Sequence, residues 1–279
     1  MRRSLVRHGP VAVGLLAVTA LLSLPASAHD FWLIPHVFRL APGQELIVDG
    51  RTSSTFPTSL SAVTPDRIGE ARILTAGTSE TLSHIGVDGS VLRLSHRPTD
   101  VGQAVIAVRV LPREIPESPE SFRNYLRVEG APEALERYER EGILPTDSII
   151  RRYAKYAKTV VEVGSGGRRA FLQRAEHPFE FTPLADPGSV EPGQLLRIQV
   201  EFLGEPLAGA RIHAGVATEA NATASVLDQE YLSDEAGIVA VPLAHAGIWN
   251  VRALHIVPAP AGSGADWDVH WATLVWQIG

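Results

Sequence analysis

The chain has 279 residues, 45% hydrophobic and 20% charged, with a net charge of −6. This is globular composition, long enough for one large core or two smaller ones. Its mild acidity excludes the basic footprint of a nucleic-acid binder. There are no cysteines and the single methionine is Met1, which excludes structural disulfides, thiolate-held zinc, iron–sulfur clusters and thiol catalysis.

In chain order, residues 1–28 come first. Arg2, Arg3, Arg7 and His8 make a basic start, VAVGLLAVTALLSL is an apolar run too short for a comfortable membrane span, and Ala26-Ser27-Ala28 fits the A-x-A cleavage rule. The segment reads as a secretory signal peptide cut between Ala28 and His29. The expected location is the periplasm, with no membrane embedding after cleavage.

Next comes a repeat. APGQELIVDG (41–50) resembles EPGQLLRIQV (191–200), each a Pro-Gly turn running into an apolar strand. Further strand candidates are 71–76, 91–96 and 103–111 in the first half, and 209–217, 237–243, 247–257 and 270–278 in the second. Between them, 118–142 carries helix signals: Ser118 as N-cap, Pro119 at the first position, Phe122, Tyr125 and Leu126 on one face, and Pro132 and Gly142 bounding a second helix. TDSIIRRYAKYAK (146–158) also reads as helix, and KTVVEVG (158–164) as a strand. The expected fold is mainly β: two tandem β-sandwich domains, Ig-like or transthyretin-like, with a short helical insert. The divisions are 29–116 for the first sandwich, 117–157 for the insert, 158–176 for a closing strand and linker, and 177–279 for the second sandwich.

Cleavage would make His29 a first residue, offering its α-amine and ring Nδ1 to one metal as a histidine brace. Nitrogen-rich sites of that kind suit copper or nickel. Asp30 could orient an imidazole or be the polar start of a strand. His255, at the end of the strand WNVRALHIV, and His270, after the loop VPAPAGSGAD, could converge across neighbouring strands. The expected metal ligands are thus His29, His255, Asp30 and His270. Asp266 and Asp268 are too few for a calcium loop, and no G-x-S-x-G, H-E-x-x-H, P-loop or G-x-G-x-x-G motif is present.

AHDFWLIP, SFRNYLRVEG, RYAKYAKTVVEVG, EPGQLLRIQVEFLGEPLAGARI, GIWNVRALHIV and ADWDVHWATLVW, in that order, make the chain similar to the DUF4198 family. These are described as periplasmic proteins associated with nickel uptake. The resemblance implies a β-rich extracytoplasmic protein, with His29 and His255 at recurrent His positions and Trp267 and Trp271 in a terminal aromatic pattern. His270 stands where the family pattern leads us to expect an aromatic. The leading expectation is a non-catalytic metal-binding accessory protein. Its cofactor would be a divalent transition metal (nickel, cobalt or copper), and its partners the metal ion and a membrane metal transporter. The alternatives are a structural or interaction module and, ranked lower, a copper-dependent oxidase.

Overall fold

The alternation of apolar and polar residues dictates strands, and the described residues form seventeen. The computed structural model describes residues 29–82, 84–129, 131–218 and 228–279; the expected signal peptide lies outside the described residues. The first nine strands are β1 (Asp30–Pro35), β2 (Arg39–Leu40), β3 (Leu46–Ser53), β4 (Ile68–Leu74), β5 (Ser79–Thr81), β6 (His84–Asp88), β7 (Val91–His96), β8 (Gly102–Glu117) and β9 (Ile149–Val163). Helices α1 (Pro119–Val128) and α2 (Pro132–Glu141) lie between β8 and β9. Then follow β10 (Phe179–Pro183), β11 (Leu195–Phe202), β12 (Glu205–Pro206), β13 (Arg211–Ala217), β14 (Gln229–Leu232), β15 (Ile238–Pro242), β16 (Gly247–Pro258) and β17 (Trp267–Ile278).

These strands make one long sheet and two short ones. The long sheet runs β14-β13-β16-β17-β9-β8-β4-β5, with β2 also paired to β9. Its halves meet where β17 and β9 pair in parallel, from Trp267 opposite Arg151 to Val275 opposite Thr159. Successive side chains of a strand point to opposite faces, so this register assigns every residue of both halves to one face or the other. On one face, Ala157, Val161 and Val163 of β9 pack with Phe31, Leu33, Val48 and Leu94 of the sheet β1-β3-β7-β6. On the other, Tyr156, Val160, Leu274 and Trp276 pack with Phe181, Ile198 and Val241 of the sheet formed by β10, β11 and β15. The fold is mainly β and sandwich-like. Its two sandwiches lie on opposite faces of one continuous sheet.

The repeat read from sequence is a repeat of structure. Gly43 and Gly193 have φ of 77° and 92°, the left-handed region that the third position of a type II turn requires after Pro. Gln44 and Gln194 each donate their backbone N–H to the carbonyl three residues back, at 3.0 and 3.1 Å. Each also accepts on its side-chain oxygen the N–H of that same residue, Ala41 or Glu191, at 3.0 Å. The strands these turns open, β3 and β11, each pair with the first strand of an outer sheet, β1 and β10.

The insert is helical only to Glu141. Ser118 caps α1 through its side chain, which accepts the Ser121 N–H, and Gly142 ends α2 at φ 67°. Phe122, Leu126, Leu135 and Tyr138 cover Trp267, Val269 and Trp271 on the long sheet, with the Trp267 ring 4.9 Å from Phe122 and 4.6 Å from Tyr138. The helix expected over 146–158 is instead the start of β9, at Ile149. Tyr153 and Tyr156, three apart, imitate a helical stripe. As a strand they point to opposite faces, and strands on both sides of β9 satisfy its backbone, so tertiary pairing overrides local preference.

A buried ion pair ties the segment after β9 to the sheet. Lys158 donates to Glu180 at 2.5 Å and to the Gln173 carbonyl at 3.2 Å. Glu180 also accepts the N–H groups of Ala175 and His177. Burial pushes the Glu180 carboxyl up, but the ammonium and these N–H groups outweigh it and hold the carboxyl below its ordinary range. Replacing one partner leaves the other charge buried and unpaired. Lys158→Met is expected to cost about 3–5 kcal/mol in urea unfolding; a loss below about 1 kcal/mol would show that Glu180 is neutral.

Candidate functional site

The long sheet separates the expected metal ligands. His29 immediately precedes β1, and its carbonyl accepts a hydrogen bond from the Lys155 ammonium. Lys155 is an odd-numbered residue of β9, on the face covered by β1 and the helices. His255 lies on the opposite face, in register with His270, and touches Phe179 and Phe202 of the other sandwich. The expected pairing of His29 with His255 is therefore not formed: a β-sheet stands between them.

The surroundings of His29 also oppose a metal cation. His29 lines a cavity of about 390 Å³ together with Arg67, Arg113, Arg151 and Lys155, and no carboxylate lines it. Burial and then the Lys155 charge lower the pKa of His29. Burial lowers Lys155 itself to about 8, which leaves it mostly protonated at neutral pH. Asp30 does not orient an imidazole. Its Oδ2 lies 3.5 Å from Arg252 Nε, and Oδ1 has no hydrogen-bond partner among the described residues. Burial raises Asp30 to about 6, against the pull of Arg252 and Lys155.

His255 and His270 do come together. They face each other across the β16–β17 hairpin, where directly opposite Cβ atoms are about 5 Å apart. Phe202 contacts both rings, with centroids 4.5 and 5.0 Å away. Tyr156 stacks on His270 and shares a 3.2 Å hydrogen bond between its hydroxyl and ring Nδ1. Burial lowers both histidines to about 4, so both are neutral at pH 7. His177 joins the cluster from the segment before β10, its ring 5.4 Å from Tyr156. It is buried, neither ring nitrogen has a partner among the described residues, and burial lowers it to about 4 as well. Asp268 is engaged by Arg152 at 2.7 and 2.9 Å, and Asp266 accepts the Ile150 N–H. Among the described residues, no three His, Asp or Glu side chains form a metal-holding group.

Tyr156, His177, Arg113 and Lys155 escaped the sequence reading. Three of the four had a usable signal. Once RRYAKYAK is taken as strand, period two puts Arg151, Tyr153 and Lys155 on one face and Arg152, Ala154 and Tyr156 on the other. The pairing of β8 with β9 then brings Arg113 opposite Tyr153. Nothing in the sequence around His177 marks it.

The buried histidines set a pH dependence. An unfolded histidine titrates near 6.5, while folded His177 titrates near 4. Between these values the unfolded chain binds the extra proton, so this contribution to stability is complete above 6.5 and is lost as pH falls toward 4. From pH 7 to pH 5 the parent protein should lose about 2 kcal/mol more stability than His177→Gln in urea unfolding. Parallel pH profiles for the two proteins would contradict the assignment.

Three comparisons bear on identity. A search of curated proteins finds no match. Among solved structures, the chain is similar to the adhesin InvE of Yersinia pseudotuberculosis at 16% identity and a TM-score of 0.21, covering 88% of this chain and 58% of the adhesin. That similarity is too slight to carry an argument. The profile of DUF4198, a domain of unknown function, matches residues 26–257. Spanning most of the chain, that match makes this protein a member of the DUF4198 family.

Proposed function

We propose that this protein is a periplasmic accessory protein that binds a divalent transition metal, nickel, cobalt or copper, through His255 and His270, and yields it to a membrane transporter. The observation that carries this reading is the cross-strand imidazole pair. Two neutral nitrogen donors stand opposite each other on a rigid hairpin, and imidazole suits these metals. In the tautomer where Nδ1 of His270 donates to the Tyr156 hydroxyl, Nε2 presents its lone pair. A hydrogen bond of this kind fixes the orientation and tautomer of a ligand ring. Two protein ligands leave coordination positions open for water or for a donor from a partner, which favours exchange over permanent retention. The lack of cysteine and of any methionine beyond Met1 leaves imidazole as the main side-chain donor suited to these metals.

Calorimetry of the metal-stripped protein against nickel, cobalt and copper salts tests this reading. His255→Ala and His270→Ala should each abolish binding, and Tyr156→Phe should weaken it about tenfold or more. His29→Ala should bind like the parent protein. Undiminished binding by both His255→Ala and His270→Ala, or loss of binding with His29→Ala, would overturn the assignment.

A further inference from the structure

We infer that the cavity beside His29 binds a small organic molecule carrying two or more carboxylates. Its volume of about 390 Å³ falls in the range of small-molecule pockets and exceeds what a bare inorganic anion fills. Arg67, Arg113, Arg151 and Lys155 line it without one carboxylate, in a chain whose net charge is −6.

The existing partners of these cations leave charge to spare. Arg151 is neutralised by Glu117, at 2.7 and 3.1 Å, and its guanidinium lies 3.8 Å over the Tyr125 ring. Arg67 donates to the Leu111 carbonyl at 2.6 Å, and Lys155 to the His29 carbonyl. Both acceptors are uncharged. Arg113 has no ion-pair partner among the described residues. Arg67 and Arg113 therefore share one concave surface without a contacting counter-charge, and Lys155, which feels the Asp30 carboxylate, adds a third positive group to it. Such an arrangement is unfavourable in isolation and favourable around an anion. Guanidinium groups add fork geometry, which matches a carboxylate with two parallel hydrogen bonds.

Two further features support a ligand at this surface. The first is a bulge. The β8–β9 register shifts between Val110 and Arg113, inserting one extra residue in β8. The insertion reverses the parity of β8, so Arg113 and Ile115 take up the same face as Val110. Without it Arg113 would point to the other side of the sheet. Bulges of this kind commonly re-aim side chains beside sites. The second is Thr52. It lines the cavity, is buried, and its hydroxyl has no hydrogen-bond partner among the described residues. An unsatisfied buried hydroxyl costs free energy that a ligand oxygen would recover. Between the charged groups, Val110 and Ile115 give the cavity an apolar lining. A ligand with charged ends and a carbon body fits both kinds of surface.

Glutarate is the probe, titrated calorimetrically into metal-stripped protein at constant ionic strength, with inorganic phosphate as the comparison. Glutarate should bind and raise the melting temperature, and phosphate should not compete with it. Arg113→Gln, at an exposed position, should fold normally and lower glutarate affinity about tenfold or more, the loss expected for one charge-assisted fork. Thr52→Val should lower it several-fold. Failure of glutarate to bind would overturn the inference. So would affinity unchanged in both variants, or phosphate binding as tightly as glutarate. Because no metal is present, these outcomes are independent of the His255–His270 reading.

Discussion

The parallel pairing of β9 with β17 is the constraint on which the architecture depends. Sandwich halves in tandem could each close on themselves and meet only through a linker. Here the two inner sheets are hydrogen-bonded into one along nine residue pairs, from Trp267 opposite Arg151 to Val275 opposite Thr159. Each outer sheet then has a different face to cover. Parallel strands are usually buried on both faces, and β9 and β17 are. Aromatic residues of the helices and the β1 sheet lie on one side, and the β10–β11–β15 sheet lies on the other.

That geometry sorts chemistry by parity. Odd residues of β9 bring Arg151 and Lys155 to the His29 side, and even residues bring Tyr156 and Lys158 to the His255 side. One side collects positive charge around a cavity. The other collects neutral imidazoles against Phe179, Phe202 and Tyr156. The two environments favour opposite kinds of guest. Guanidinium and ammonium groups raise the potential at His29, while burial keeps the histidines of the hairpin unprotonated and available as donors. A single strand, β9, thus contributes to both environments and separates them.

Much of the β architecture was legible in the sequence because its signals are local. The paired Pro-Gly turns, the Ser118 cap and the Gly142 stop all read correctly, because each depends on a few adjacent residues. The 146–158 stretch misled because its tyrosines, three apart, imitate a helical stripe, and only pairing with β8 and β17 shows it to be a strand. The convergence of His255 and His270 was open in the sequence as one possibility, and the β16–β17 register decides it. The separation of His29 from His255 was not legible there, because sidedness is a property of the whole sheet. The cationic cavity was hidden for a further reason: its residues come from five separate segments, and the bulge that turns Arg113 to the cavity face exists only in the β8–β9 register.

The central claim is that the sheet assigns metal-binding chemistry to the hairpin face and keeps it from His29. Anomalous diffraction from crystals soaked in a nickel salt tests this most directly, because it locates the ion without relying on affinity or sequence variants. The account predicts an anomalous peak beside the imidazoles of His255 and His270, on the Tyr156 side of the sheet. A peak coordinated by the His29 imidazole and a free amine, with none at the hairpin, would contradict it.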